Sequence, residues 1–222
     1  TIIVDLQIIG SRVYTYKYTL SACLRAAVKH DKRVVVLDRP NPLGGEFIDG
    51  HLLDIGVKSF VGEFSIPMRH GLSVGEAALF FNQEIGACLD VVTLKNYSPQ
   101  QLWNQLDRQW VITSPNMPTF EAAFLFPGTV LLEATNLSEG RGTCLPFSFV
   151  GAPYISDVHD YAKRVADLVD FDMSSIYLRP TIFQPTFQKW AGEVCNGLQL
   201  HALKFQPSLS TYGLGLALII AA

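Results

Sequence analysis

A charged, proline-rich stretch from Asp38 to Pro42 follows a run of β-branched residues. The Asp38 carboxylate can orient a hydroxyl group or a base, and the Arg39 guanidinium can hold a carboxylate through two parallel hydrogen bonds. Asn41 lies between two prolines in the same stretch. Ligands of open α/β sheets bind beyond the carboxyl ends of the strands, so this position favours a binding site. The alternative is a turn stiffened by its prolines.

Two polar residues end an earlier apolar run in the same way. Asp5 and Gln7 follow Thr1 to Val4, so both are candidates for the same crevice as Asp38. Tyr14 and Tyr16 come next, on the approach to a predicted helix. The alternative for these two rings is core packing, with each hydroxyl at the rim.

One histidine stands close to a predicted helix start. His70 precedes Ser73 and Glu76, whose spacing predicts a capping box. The partial positive charge at that helix end favours an anionic ligand or a neutral imidazole beside it. No two of the five histidines have metal-binding spacing and the four cysteines form no C-x-x-C motif, so the sequence predicts no metal site.

Two polar loops in the second half are further candidates. Asn116, in a loop stiffened by two prolines, can hydrogen-bond a substrate, and the alternative there is helix initiation. The stretch 135–143 is the densest polar segment of the chain. Within it, Asn136 can bind a ligand, Glu139 can act in acid–base chemistry and Arg141 can hold a carboxylate. The alternative is a salt-bridged turn.

The elements that position these residues alternate at first and then change in character. A strand at 1–6, a helix ending near His30 and a strand at 33–37 predict a parallel βαβ unit. The Ser73 helix should end near Gly86, with a third strand at 89–94. A second capping box at Ser98 predicts another helix. Further predicted helices lie at 119–124, at 158–169 and at the chain's end, and further strands at 129–134, 176–179 and 198–203.

The composition excludes several classes of protein. The 222 residues are 49% hydrophobic and 17% charged, which excludes overall disorder. Seventeen basic residues against 20 acidic ones leave no basic excess, so nucleic acid is not expected as a partner. No apolar run approaches the roughly 20 residues of a membrane span. The chain contains no G-x-G-x-x-G, P-loop or G-x-S-x-G motif, so no nucleotide cofactor is predicted.

The motifs taken together are more specific than any one alone, and their order resembles that of the NamZ-type exo-β-N-acetylmuramidases over nearly the whole chain. The matching segments are Asp5-Leu6-Gln7 with Gly10, Arg12 and Tyr14-Thr15-Tyr16; Val36 to Pro42; Ser59 to Gly62; Pro67; His70 to Glu76; Ser114 to Pro118; Pro127 to Thr129; Thr135 to Thr143; Gly151 to Pro153; and Phe183 to Phe187. The resemblance implies a Rossmann-like domain followed by a smaller α/β (α+β) domain, with the active site in the cleft between them. We expect these domains at 1–105 and 106–222.

The resemblance also implies a glycoside hydrolase that removes N-acetylmuramic acid from the non-reducing ends of peptidoglycan fragments. The lactyl carboxylate of that sugar suits an arginine, and Arg12, Arg39 and Arg141 are the candidates. The leading catalytic glutamate of the family lies in an E-H-G-x-x-G motif upstream of the first residue here. The chain therefore resembles a fragment, cut at both ends and expected to be inactive or nearly so alone.

Glycosidases of most families use two carboxyl groups, one on each side of the scissile bond. Asp38, Glu139 and Tyr14 or Tyr16 are the candidates for the second group, since tyrosine replaces a carboxylate in some glycosidases. Ile8-Ile9-Gly10 stands where relatives carry D-V-G, and Ile48-Asp49-Gly50-His51 where they often carry V-E-G-P. The first change removes an acid and the second shortens one. Retention or inversion at the sugar stays open.

Two other functions stay open at this stage. A carbohydrate-binding module without catalysis would lack the upstream glutamate, and a sugar-nucleotide transferase would need a phosphate loop that is not visible. The resemblance implies the periplasm or the outside of the cell, although no signal sequence is visible. The even cysteine count leaves the disulfide state open.

Overall fold

The computed structural model describes residues 1–222, which form two compact units, Thr1–Arg108 and Gln109–Ala222. The first unit contains β1 (Ile2–Val4), α1 (Tyr16–Lys29), β2 (Val34–Leu37), α2 (Val74–Ile85) and β3 (Leu89–Val92). The second contains α3 (Phe120–Thr129), β4 (Phe149–Ala152), α4 (Val158–Leu168), β5 (Ile176–Phe183), β6 (Cys195–Ala202) and α5 (Thr211–Ala221). The predicted α/β class is confirmed. No helix is both long enough and apolar enough to cross a membrane.

The sheet of the first unit is parallel throughout, with strand order β1-β2-β3. Ile2 lies opposite Val34, and Val34 lies opposite Leu89, so β2 is the central strand. The predicted βαβ unit is therefore confirmed. Because all three strands run the same way, the loops that follow β1, β2 and β3 leave the sheet at one edge.

Helices α1 and α2 cover the first sheet with apolar side chains spaced at helical intervals. Leu20 and Leu24 of α1 are fully buried, as is Phe81 of α2, whose ring stacks on Phe64 at 3.9 Å between centroids. Burial of each such side chain contributes about 1.5–3 kcal/mol. This core fixes the sheet whose carboxyl edge carries the polar residues.

One of the two predicted capping boxes is confirmed and the other is wrong. Ser73 Oγ accepts from the Glu76 N–H at 3.1 Å, and the Glu76 carboxylate accepts from the Ser73 N–H at 2.8 Å. The segment after Ser98 instead forms a turn and one short 3-10 helix, Trp103–Gln105. Tertiary contacts explain the difference, because Gly45 N–H donates to Pro99 O and Trp103 N–H donates to Pro42 O.

The second unit is built on an antiparallel sheet of order β4-β6-β5, in which Cys195 lies opposite Phe183. Helices α3 and α5 touch through glycines: a Cβ on Gly128 would lie 1.7 Å from Thr211 O, and one on Gly215 would lie 2.3 Å from Gly128 O. The strand predicted at 129–134 is wrong. Thr129 ends α3, with its hydroxyl on Leu125 O at 3.1 Å, and a 3-10 helix follows. Strand β4 was not predicted.

Candidate functional site

The ends of β1 and β2 carry an ion pair. The Arg39 guanidinium meets the Asp5 carboxylate with two N–H groups, one of them at 2.9 Å, and the Asp5 pKa is lowered chiefly by this hydrogen bond. The two side chains are 40% and 44% exposed, so the pair faces solvent. The structure thus brings together two residues that the sequence placed in one crevice, and it pairs Arg39 with a carboxylate of the chain itself.

Asp38 is bonded to the start of α2. Its Oδ1 accepts from the Gly75 N–H at 2.7 Å, where the helix dipole favours a negative charge. A Cβ on residue 75 would lie 2.8 Å from the Asp38 carboxyl carbon, so only glycine allows this approach. Asp38 therefore joins the end of β2 to α2.

Gln7 and Asn41 both form hydrogen bonds within the loops, but Gln7 retains a polar atom without a partner. Gln7 Nε2 donates to Ile8 O at 2.7 Å and to Pro40 O at 3.0 Å, whereas its Oε1 is buried and has no partner. Asn41 is fully buried, with Oδ1 accepting from the Leu43 N–H at 2.9 Å and Nδ2 donating to Leu72 O at 3.1 Å. Asn41 shapes its loop and is withdrawn from solvent, while Gln7 keeps a buried acceptor without a partner.

Arg12 holds two other segments in place. One of its terminal nitrogens donates to His51 O at 2.6 Å and to Ile66 O at 2.8 Å. The rings of Tyr14 and Tyr16 lie 5.1 Å apart at the start of α1, and both are partly exposed. The tyrosine pair is therefore accessible from solvent at the carboxyl edge of the sheet.

His70 is buried beside a lysine that the sequence analysis missed. His70 Nδ1 accepts from the Leu72 N–H at 3.1 Å, and Nε2 is buried without a partner. Burial lowers the His70 pKa well below its usual value, and a charge on Lys17 would lower it further. Lys17 Nζ donates to Ser11 O and Tyr14 O, and burial lowers its own pKa well below the usual value. The ring is therefore neutral, with its proton on Nε2.

Arg69, also missed, is the centre around which the loops meet. Its backbone bridges Ser11 and Asp49, and its guanidinium donates to Leu43 O and lies 5.1 Å from the centre of the Phe47 ring. The side chain is 1% exposed, and burial lowers its pKa to about 10. Arg69 thus orders the carboxyl edge from within.

The second unit contains a buried carboxylate between two cations. Glu139 is 3% exposed, and its Oε2 accepts from Lys189 Nζ at 3.1 Å while its Oε1 lies 3.8 Å from Arg141 Nε. Arg141 also pairs with Glu133 at 2.6 Å. Burial raises the Glu133 pKa, against the opposing charge of Arg141. The structure confines Glu139 to a closed ion network.

Two aromatic residues that the sequence analysis did not single out contact Asn136. Asn136 Oδ1 accepts from the Tyr154 hydroxyl at 2.8 Å, and its carbonyl accepts from Trp190 Nε1 at 2.6 Å. Trp190 lies in the loop joining β5 to β6, where it adopts a positive φ of 59°, as does Gln188 at 68°. Non-glycine residues in this conformation concentrate at functional sites. Asn116 lies in a turn and is partly exposed.

No three histidine, cysteine, aspartate or glutamate side chains are grouped so that they could hold a metal ion. All four cysteines are free thiols.

Both parts of the chain match models of one protein family. Residues 1–121 match the model of the N-terminal domain of exo-β-N-acetylmuramidase NamZ, and residues 124–222 match that of its C-terminal domain. The chain is 41% identical over 199 residues to the peptidoglycan β-N-acetylmuramidase NamZ of Bacillus subtilis (strain 168), covering 89% of this chain and 47% of the relative.

Two crystal structures of DUF1343 family proteins from Bacteroides fragilis NCTC 9343 share the fold. One superposes with a TM-score of 0.90 at 30% identity over 99% of this chain and 57% of its own. The other has a TM-score of 0.73 at 32% identity over 91% of this chain and 53% of its own. The chain spans about half the length of the relatives it matches. By its matches to both family models, the chain belongs to the NamZ exo-β-N-acetylmuramidase family.

Proposed function

We propose that the protein acts in the hydrolysis of peptidoglycan fragments, releasing N-acetylmuramic acid from their non-reducing ends. The observation that carries this proposal is the 41% identity, over 89% of the chain, to a peptidoglycan β-N-acetylmuramidase. We extend the proposal to cell-wall recycling, to a periplasmic or extracellular location and to a Rossmann-like first domain that ends near residue 105. The parallel βαβ unit supports the last of these.

The geometry supports distinct roles for the candidate residues. Tyr14 and Tyr16 present partly exposed rings, so we assign them to direct contact with the sugar. Asp38 and Glu139 are each bonded within the fold, and we assign them to positioning. Under this assignment Glu139 holds the 132–141 segment and the Lys189 loop together rather than exchanging a proton with substrate.

The bonding of these two carboxylates also favours a second candidate function. A glycosidase needs two carboxyl groups placed at the scissile bond. One Asp38 oxygen is bonded to a helix N-terminus, and the buried Glu139 carboxylate is paired with Lys189, so both carboxylates are engaged within this chain. Binding of muramic saccharides without hydrolysis is therefore the alternative.

Hydrolysis of a chromogenic N-acetylmuramic acid β-glycoside by the full-length protein tests the proposal, with the N-acetylglucosamine analogue as control. We expect release from the muramic substrate only. In Tyr14→Phe, a contact role should raise KM or lower kcat, whereas Glu139→Gln should lower thermal stability together with activity. Release from neither substrate, with muramic acid still bound, would select the binding function.

A further inference from the structure

A cleft of about 290 Å³ opens in the first unit at the carboxyl edge of its sheet. Pro40, shortly after β2, forms one wall, and the segment Leu94–Tyr97, shortly after β3, forms another. The segment Gln105–Arg108 closes the third side. This edge of a parallel sheet is where ligands of such folds bind.

Bonds between the segments hold the walls of this cleft in place. Trp103 N–H donates to Pro42 O at 2.9 Å, and Gln105 Oε1 accepts from the Leu102 N–H at 2.9 Å. The Tyr97 hydroxyl is bonded to the backbone of Asn41, and burial raises its pKa. The cleft is thus built before any ligand arrives, which lowers the entropy lost on binding.

The lining carries cations that no carboxylate of the chain neutralises. Lys95 and Arg108 both line the cleft, and neither forms an ion pair in the structure. Asp107 is the one carboxylate of the lining. The lining as a whole therefore has a formal charge of +1. Amide side chains, among them Asn96 and Gln101, add donors and acceptors for hydroxyl or acetamido groups.

The arginines that the sequence offered for a carboxylate ligand are engaged elsewhere. Arg12 donates to two backbone carbonyls, Arg39 pairs with Asp5, and Arg141 pairs with two glutamates. A ligand carboxylate would have to displace one of these bonds, whereas at Lys95 and Arg108 it displaces only solvent.

We propose that this cleft binds the carboxylate of an acidic amino sugar through Lys95 and Arg108. The inference rests on the proposed function, under which the ligand is N-acetylmuramic acid and the carboxylate is that of its lactyl ether. The cleft then selects N-acetylmuramic acid over N-acetylglucosamine, which has the same ring and acetamido group without the acid. Lys95 and Arg108 are specificity-determining residues in this assignment.

Titration of the protein with free N-acetylmuramic acid and with free N-acetylglucosamine, followed by NMR chemical shifts, tests this cleft without requiring catalysis. We expect amide signals of 94–108 to shift with the acidic sugar, and much less with the neutral one. Lys95→Gln or Arg108→Gln should weaken binding of the acidic sugar about tenfold, because each removes one charge-assisted hydrogen bond. Binding of the neutral sugar should not change, and Lys95→Arg should restore most of the affinity.

Lys58→Gln and Arg179→Gln serve as matched controls. Each removes a cation that forms no ion pair and that lies outside the cleft. Both should bind the acidic sugar as the parent does. Equal binding of the two sugars, or affinity unchanged in Lys95→Gln and Arg108→Gln, would overturn the inference even if the protein hydrolyses muramic substrates. Selective binding lost in these two variants, without hydrolysis, would uphold the cleft and contradict the proposed enzyme.

Discussion

Each unit of the molecule contains a buried or partly buried lysine that donates hydrogen bonds to loop carbonyls. The two lysines differ in what else they contact. In the first unit, Lys17 Nζ donates to Ser11 O at 2.6 Å and to Tyr14 O at 2.9 Å. The side chain is 1% exposed and forms no ion pair. Lys17 Nζ therefore has two hydrogen-bond acceptors, and both are neutral carbonyl groups.

In the second unit, Lys189 Nζ has three acceptors. Two are the carbonyls of Leu132 and Leu137, at 2.6 and 2.9 Å, and the third is the Glu139 carboxylate at 3.1 Å. An ammonium has three N–H donors and a neutral amine has two. The Lys189 site therefore matches a charged lysine, whereas the Lys17 site is satisfied by a neutral one. This agrees with the lowered pKa of Lys17.

Removing the Glu139 carboxylate should have the largest effect on the free energy of unfolding. Glu139→Ala leaves Lys189 and Arg141, which are 25% and 27% exposed, without their shared anion. Loss of one partner from a buried ion network destabilises a protein by about 3–5 kcal/mol. Urea unfolding should report a loss in this range. Glu193→Ala, an exposed glutamate of the same β5–β6 loop, is the control and should stay within about 0.5 kcal/mol. A loss below about 1 kcal/mol for Glu139→Ala would contradict the closed network.

Replacing the first lysine should have a smaller effect. Lys17→Met keeps the length of the side chain but removes the donors to Ser11 O and Tyr14 O, which should destabilise the protein by about 2 kcal/mol. Lys29→Met, at the exposed end of α1, is the matched control. Equal stability of the two variants would mean that the Lys17 bonds contribute nothing.

The pH dependence of Lys17 should sharpen the contrast. Between its lowered folded pKa and 10.5, the unfolded chain carries one more proton than the folded chain. Stability from this group therefore rises with pH in that window, by up to about 1.4 kcal/mol per pH unit, and is constant below the folded pKa. The difference in unfolding free energy between the parent and Lys17→Met, measured from pH 8 to 10, should grow accordingly. A constant difference would show that the folded lysine is charged throughout.

His70 gives the corresponding test in acid. Because its folded pKa lies well below 6.5, the unfolded chain binds the proton first as pH falls. Stability should therefore decrease below pH 6.5, by up to about 1.4 kcal/mol at one unit lower. In His70→Asn the side-chain oxygen can still accept from the Leu72 N–H, and this decrease should vanish. His159→Gln, at an exposed position in α4, should keep it.

Local patterns predicted the elements well wherever the bonds are local. The Ser73 box closes between residues three apart, and the helix it starts ends at Gly86, in the left-handed conformation. Ser98 begins a similar pattern, but the backbone of Pro99 and Trp103 is hydrogen-bonded to loop 41–45 instead. Those bonds join residues more than 50 positions apart, so spacing along the chain gives no sign of them.

The candidate site was predicted in part for the same reason. Parallel strands bring their ends together, so the Asp5 and Arg39 neighbourhood followed from topology. Lys17, Arg69 and Lys189 were missed because charged residues are ordinarily on the surface, and the carbonyls that receive them come from distant loops. One signal for Lys17 was present, since it falls in the apolar stripe of α1 that continues through Leu20 and Leu24.

An exposed ion pair supplies the reference against which the two lysine sites are measured. Arg164 and Asp160 lie four residues apart on α4, with Nε 3.0 Å from Oδ2 and side chains 49% and 56% exposed. Solvent and salt screen such pairs, so Arg164→Gln should destabilise the protein by only about 0.3–0.5 kcal/mol. The loss should disappear in 1 M salt, where the Debye length falls to about 3 Å. A salt-independent loss above about 1 kcal/mol would show that exposure does not separate this pair from the Glu139 network, and the contrast between buried and exposed charge in this protein would then fail.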